Sequence, residues 1–79
     1  MFTVYVLQDD SGRLYKGVTN NLSRRLREHK LGKTKSTSQM MNIKIVYTEE
    51  HNDWKVARGR EVYLKTAAGR KFLKKIMRV

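Results

Sequence analysis

The chain contains no cysteine, so neither a disulfide framework nor a thiolate zinc site can hold it, and its fold must rest on packing alone. No run approaches the roughly 20 apolar residues that span a bilayer. Residues 1–7 lack the basic start and apolar stretch of a signal peptide. The expectation is a soluble, cytoplasmic protein with no membrane partner. Several signals of DNA-binding and nucleotide-binding proteins are missing too: there is no Cys/His metal cluster, no helix-turn-helix pattern and no glycine-rich phosphate cradle. No internal repeat, linker or low-complexity tail divides the sequence, so a single domain over residues 1–79 is expected.

Acidic residues are also scarce. Asp+Glu number 7 against 18 Lys+Arg, a formal net charge of +11 and a pI near 10.4. That excess calls for a polyanionic partner, and nucleic acid is the commonest one. The basic residues are spread over several elements and not gathered on one amphipathic face, which argues against an anionic membrane surface. Hydrophobic residues at 39% suffice for one thin core but not for a buried cofactor cavity. Any active site is therefore expected as an open surface cleft.

Residues 2–7 alternate Phe2, Val4 and Val6 with Thr3, Tyr5 and Leu7, a β-branched and aromatic pattern that predicts a strand. Asp9-Asp10-Ser11-Gly12 is turn chemistry, with Gly12 free to take a positive φ, and it leads into a second strand over 13–19. Gly17 inside that strand marks a bulge or a close approach by other atoms. Asn20 and Asn21 both offer N-cap oxygens for a helix running to about Leu31, with Gly32 as its stop. Residues 33–42, rich in Lys, Ser and Thr, read as a mobile basic loop. A third strand is expected over 43–48, a helix over 54–65 capped by Asn52 or Asp53, and a last helix over Ala67–Met77 with Phe72, Leu73, Ile76 and Met77 at helical spacing. The order β-β-α-β-α-α predicts an α+β layer, a small three-stranded antiparallel sheet flanked by helices.

Three irregularities stand out against this frame. In the first helix, Leu22, Arg25, Leu26 and His29 recur at i, i+3, i+4 and i+7, so two polar groups share the packing face of the leucines. Long basic side chains can snorkel past such neighbours to solvent. In the second helix, Glu61 shares a face with Trp54, Ala57 and Leu64. A carboxylate there must pair with a cation, Arg25 or Arg58, or ligate a metal. The third is a pair of strand tyrosines, Tyr5 and Tyr15, one on each arm of the hairpin, where structure alone also accounts for them.

Taken in order, Val4-Tyr5-Val6, Tyr15-Lys16-Gly17, Arg25 with His29 four residues on, and Glu61 resemble the GIY-YIG nuclease superfamily, in particular its small standalone members. The chain is similar also to the nuclease domain that opens the bacterial excision-repair incision subunit. The stretch Leu14-Tyr15-Lys16-Gly17-Val18-Thr19-Asn20-Asn21-Leu22-Ser23-Arg24-Arg25-Leu26-Arg27-Glu28-His29 is the most specific part. The likeness extends through residues 57–64 into Gly69-Arg70-Lys71-Phe72-Leu73. It matches Tyr5 and Tyr15 to the two motif tyrosines, Gly17 to the closing glycine, and Arg25, His29 and Glu61 to the family's arginine, histidine and metal-ligating glutamate. Two departures stand beside it. The motifs read Val-Tyr-Val and Tyr-Lys-Gly in place of the name-giving forms, and no asparagine follows Glu61, where many members place one.

The resemblance implies a metal-dependent endonuclease acting on DNA, with RNA as a possible substrate. Glu61 would hold one divalent ion, Mg²⁺ or Mn²⁺, with waters filling its shell. Arg25 offers a planar donor fork for a phosphate oxygen, which lysine cannot reproduce. Tyr5 or Tyr15 would take or orient the proton of the attacking water, and His29 would relay it. Lys16, Arg24, Arg27, Lys33 and Lys35 read as phosphate-backbone contacts that raise affinity without choosing sequence. Nothing reads bases, so recognition rests on substrate structure or on a targeting protein partner. The alternative is a nucleic-acid-binding module that keeps the fold and does not cut.

Overall fold

The computed structural model describes residues 1–77, leaving aside the Ser36 side chain. Strands β1 (Phe2–Gln8), β2 (Leu14–Thr19) and β3 (Lys44–His51) and helices α1 (Leu22–Lys30), α2 (Trp54–Leu64) and α3 (Ala67–Met77) follow in the expected order β-β-α-β-α-α. The sheet is three-stranded and antiparallel, ordered β2-β1-β3, so β1 is central. Asp9 shapes the hairpin turn. Its Oδ1 accepts from Ser11 N at 3.0 Å, Ser11 Oγ at 2.8 Å and Arg13 N at 2.8 Å, and its Oδ2 accepts from Arg13 Nε at 2.9 Å. Gly12 closes that turn at φ 87°, in the left-handed region where a side chain is strained.

The helix caps are those that short polar side chains favour. Asn21, not Asn20, accepts from Arg24 N at 3.0 Å, and Asp53, not Asn52, accepts from Lys55 N at 3.0 Å. After α1, Gly32 turns the chain at φ 74°. The expectation of a mobile loop over 33–42 needs correcting. Lys35–Thr37 forms a 3-10 turn, and Thr37 is only 1% exposed. The third strand also runs further than expected, through Glu49, Glu50 and His51.

Strand alternation sends the two faces of the sheet to different helices. Val4 and Val6 join Ala57, Leu64 and Leu73 in one core, with Leu14, Val18, Val46 and Tyr47 packed against it, so α2 and α3 cover this face. Tyr5, Leu7 and Ile43 form the second core, with Tyr15, Leu22, Leu26 and Met40 around it, beneath α1 and the 3-10 turn. A bulge opposite Val6 and Leu7 leaves Val46 without a Cα partner in the ladder, and so both Val46 and Tyr47 reach the first core.

Charged residues in β3 are stabilised by α2. Glu49 accepts from Arg60 Nε at 2.9 Å and from its Nη2 at 2.5 Å, lies 2.9 Å from His51 Nε2, and takes the Tyr47 hydroxyl. The Arg60 guanidinium, more than the other partners, holds the Glu49 carboxyl down at about 2. A group depressed in the folded state contributes stability above its unfolded pKa and loses it as pH falls through the folded value. Glu49→Gln is therefore expected to lower stability at pH 7 by roughly 1–3 kcal/mol. The gap between variant and parent in urea unfolding should narrow as pH falls from about 4.5 towards 2. A gap that is constant with pH would show that the carboxylate charge plays no part.

The α2–α3 corner depends on Gly69. A Cβ there would lie 2.1 Å from the Tyr63 carbonyl oxygen and 2.5 Å from Leu64 Cα, backbone atoms that cannot rotate aside. Alanine adds about 1 kcal/mol of helix propensity, but overpacking of this kind costs about 1–3 kcal/mol or more, so the clash prevails. Gly69→Ala should shift the urea midpoint down, and a midpoint at or above the parent's would contradict the close approach.

Candidate active site

The pleat of β1 and β2 places Tyr5, Tyr15 and Gly17 on the face beneath α1, because Tyr5 pairs with Gly17 and Leu7 with Tyr15. α1 supplies Arg25 and His29 from one side of the helix, four residues apart. The Tyr5 hydroxyl lies 2.8 Å from His29 Nε2. The Tyr15 ring is 4.9 Å from the His29 ring and 6.2 Å from that of Tyr5, measured between centroids. Tyr5, Tyr15 and His29, separated by up to 24 positions in the chain, thus form one cluster. Gly17 makes room for it, since a Cβ there would come within 2.6 Å of the Tyr5 phenol oxygen and Cζ.

Burial divides the roles these groups can play. Tyr5 and His29 are each 1% exposed, whereas Tyr15 and Arg25 are half-buried and reach the surface. Burial pushes the Tyr5 phenol up to about 12, against the pull of Arg25. Burial and then the Arg25 charge hold His29 below the ordinary histidine range, so the imidazole is neutral at pH 7. The Arg25 guanidinium donates to Glu28 Oε1 at 2.9 Å and lies near Tyr5 and Tyr15. Glu28 and then the tyrosines keep it firmly protonated.

Thr37 completes the pocket and has no counterpart in the sequence reading. Its Oγ1 lies 2.7 Å from His29 Nδ1 and can itself donate to the Thr34 carbonyl at 3.5 Å. When the threonine hydroxyl donates to that carbonyl, it accepts from Nδ1–H, and Nε2 is then left to accept from Tyr5. This assignment of protons follows from the partners. It gives a directed chain from Tyr5 through His29 to Thr37. The only sequence signal for it is a hydroxyl residue eight positions after the histidine, among other serines and threonines.

Glu61 stands apart from that group. It shares the buried side of α2 with Ala57 and Leu64, over the opposite face of the sheet, and is 5% exposed. Of the two cations weighed for it in the sequence, Arg58 is the one that pairs; Lys65 Nζ adds a second contact at 2.8 Å, and Arg25 pairs with Glu28 instead. Among the described residues no group of three or more His, Cys, Asp or Glu side chains gathers into a cation site. A single hard carboxylate still fits an ion that keeps most of its waters, as Mg²⁺ does. Both cations on Glu61 are 53% exposed at the side chain and can swing off it.

The residues expected to contact phosphates are split between the faces. Arg24, Arg27, Lys33 and Lys35 are exposed on α1 and the segment after it. Lys16 is half-buried on the other face, as the ladder partner of Val6.

A family model described as the GIY-YIG catalytic domain matches residues 1–75. The chain is similar to a UPF0213 protein of Autographa californica nuclear polyhedrosis virus, 35% identical over 75 residues, covering 91% of this chain and 71% of that one. A UPF0213 protein of Clostridium perfringens is 38% identical over 63 residues, 78% of this chain and 68% of that one. The solution NMR structure of a UPF0213 protein from Bacillus halodurans superposes with a TM-score of 0.60 at 26% identity, over 96% of this chain and 85% of that one. Family match, relatives and solved fold agree, and the chain belongs to the GIY-YIG family as a small member of the UPF0213 kind.

Proposed function

We propose that this protein is a metal-dependent endonuclease that hydrolyses phosphodiester bonds in DNA, directed by substrate structure or acting with low sequence specificity. One observation carries the reading: a hydrogen-bonded Tyr5–His29 pair lies beside a half-buried tyrosine and a protonated arginine, in a chain of net charge +11. Phosphodiester hydrolysis needs a water that can lose a proton and donors for the nonbridging oxygens. Of the two motif tyrosines Tyr15 is the one that reaches solvent, and in this reading its hydroxyl orients the attacking water. Tyr5 is buried and bonded to His29, so it positions the imidazole and does not meet the substrate. Arg25 turns its planar fork to a phosphate oxygen.

Glu61 would hold the Mg²⁺ or Mn²⁺ ion, exchanging Arg58 and Lys65 for it. Lys65, paired with Glu61, lies near Lys16 of the outer strand β2, so such an ion, when bound, would supply Lewis-acid charge to a phosphate that crosses this edge from Tyr15 and Arg25. Exposed Arg24, Arg27, Lys33 and Lys35 hold the flanking backbone without reading sequence. A cytoplasmic setting and a targeting partner belong to the same proposal. Among the described residues, no helix is long and apolar enough to cross a membrane.

The pairing of Glu61 with two cations favours one second reading, a module that binds nucleic acid without cutting it. Side-by-side incubation with DNA and RNA of matched shape, in Mg²⁺ or Mn²⁺, tests both. Product from DNA is the expected result. Product from RNA alone would move the activity to RNA. If neither is cut while binding falls steeply with salt, the binding module is the function.

A further inference from the structure

A second basic surface lies across the sheet from the tyrosine pocket. There, Leu14, Ala67, Arg70, Lys71 and Lys74 line an open groove of about 370 Å³. Helix α3 carries these three cations and Lys75, with no acidic residue. Among the described residues none of the four is in an ion pair. The carboxylates that are paired lie elsewhere, Asp9 with Arg13, Glu28 with Arg24 and Arg25, Glu49 with Arg60, and Glu61 with Arg58 and Lys65. Arg70 is held in place by the Lys65 carbonyl, to which it donates at 2.8 Å. Lys16 adds to the crowding: burial, then the charges of Arg70 and Lys65, hold its ammonium below the ordinary lysine range.

The position of this surface matters as much as its charge. Leu14 and Tyr15 are neighbours in β2, an outer strand of the sheet, and alternation sends them to opposite faces. The groove and the tyrosine pocket are therefore separated by a single strand. A nucleic-acid strand that crosses the edge of β2 meets Tyr15 and Arg25 on one side. On the other it meets Lys16, Arg70, Lys71 and Lys74. A lining that mixes apolar side chains with cations suits sugars and base faces beside a row of phosphates. A membrane surface calls instead for several bulky apolar anchors among the cations, and the groove lining supplies one half-buried leucine, Leu14, beside the small Ala67.

We infer that the α3 groove is a second strand-binding site, holding the sugar-phosphate backbone of nucleic acid that flanks the bond presented to the tyrosine pocket. The inference rests on the nucleic-acid reading above, but not on cleavage.

The test measures metal-free binding of a long and a short single-stranded DNA across a salt series. It uses the parent, the double variant Lys71→Gln with Lys74→Gln, and Lys75→Gln. Lys75 does not line the groove, so the last variant removes a similar charge outside it. For the double variant the slope of log K against log salt should flatten by about 1–2. Affinity for the long strand should fall roughly tenfold or more at moderate salt. An oligonucleotide too short to pass β2 should bind within about twofold of the parent, as should the long strand to Lys75→Gln. If the double variant behaves like Lys75→Gln, the groove is not a strand site. Loss of binding to phosphatidylserine vesicles with DNA binding unchanged would likewise overturn it. If the parent cuts no substrate yet the double variant loses slope, the groove stands and the nuclease reading falls. If the parent cuts and the slope is unchanged, the groove falls and the nuclease reading stands.

Discussion

Arg25→Lys is expected to slow single-turnover DNA cleavage by about 10²–10³-fold, the loss typical of removing one preorganised donor to a developing charge. Lysine keeps the charge but not the planar fork, so an effect of that size would assign Arg25 to phosphate geometry and not to general attraction. Stability should hardly change. The Arg25–Glu28 pair is partly exposed, at 35% and 36% of the two side chains, and such pairs are worth about 0–1 kcal/mol. Glu28→Gln serves as the control. It releases Arg25 from its anchor while leaving the fork intact, and should cost far less rate. Full activity in Arg25→Lys would reduce Arg25 to a helix ion-pair residue.

The two tyrosines should separate just as clearly. Tyr15→Phe is expected to lower the cleavage rate by about 10²–10⁴-fold, the range for loss of a positioned proton-transfer group, with little change in stability. Tyr5→Phe should show the reverse balance, a smaller loss of rate and a destabilisation of about 1–3 kcal/mol, because it leaves the buried His29 Nε2 without its partner. Single-turnover rates set beside urea midpoints would distinguish the two. A dead but stable Tyr5→Phe protein with an active Tyr15→Phe protein would transfer the proton role to Tyr5.

Much of this arrangement was legible in the sequence because its signals are local. The alternation in residues 2–7, the turn at Asp9–Gly12 and the recurrence of Leu22, Arg25, Leu26 and His29 each depend on a few neighbouring positions. The structure reproduces the strands and the shared helix face that they imply. Boundaries failed where tertiary contacts decide. β3 continues through two glutamates because Arg60, eleven residues beyond Glu49, neutralises one of them. Period-2 alternation separates Tyr15 from Lys16, but which face α2 covers follows only from packing, so the sequence alone does not show that Lys16 lies across the sheet from the α1 cations. Thr37 was hidden for a different reason. Thr34, Ser36, Thr37 and Ser38 are chemically alike, and only the fold places one of them against His29. The partner of Glu61 was ambiguous because Arg58 lies one helical turn away whereas Arg25 required a tertiary approach, and the local pair formed.

Whether the protein cuts DNA with the help of a metal ion at Glu61 can be decided by one incubation series. Branched, single-stranded and duplex DNA would be treated with the parent and with a Glu61→Ala variant whose fold has been checked by circular dichroism, in Mg²⁺, Mn²⁺ or chelator. The expected result is cleavage by the parent that requires the metal and vanishes in the folded variant. Undiminished cleavage by Glu61→Ala, or no cleavage by the parent on any substrate while salt-sensitive binding persists, would contradict it.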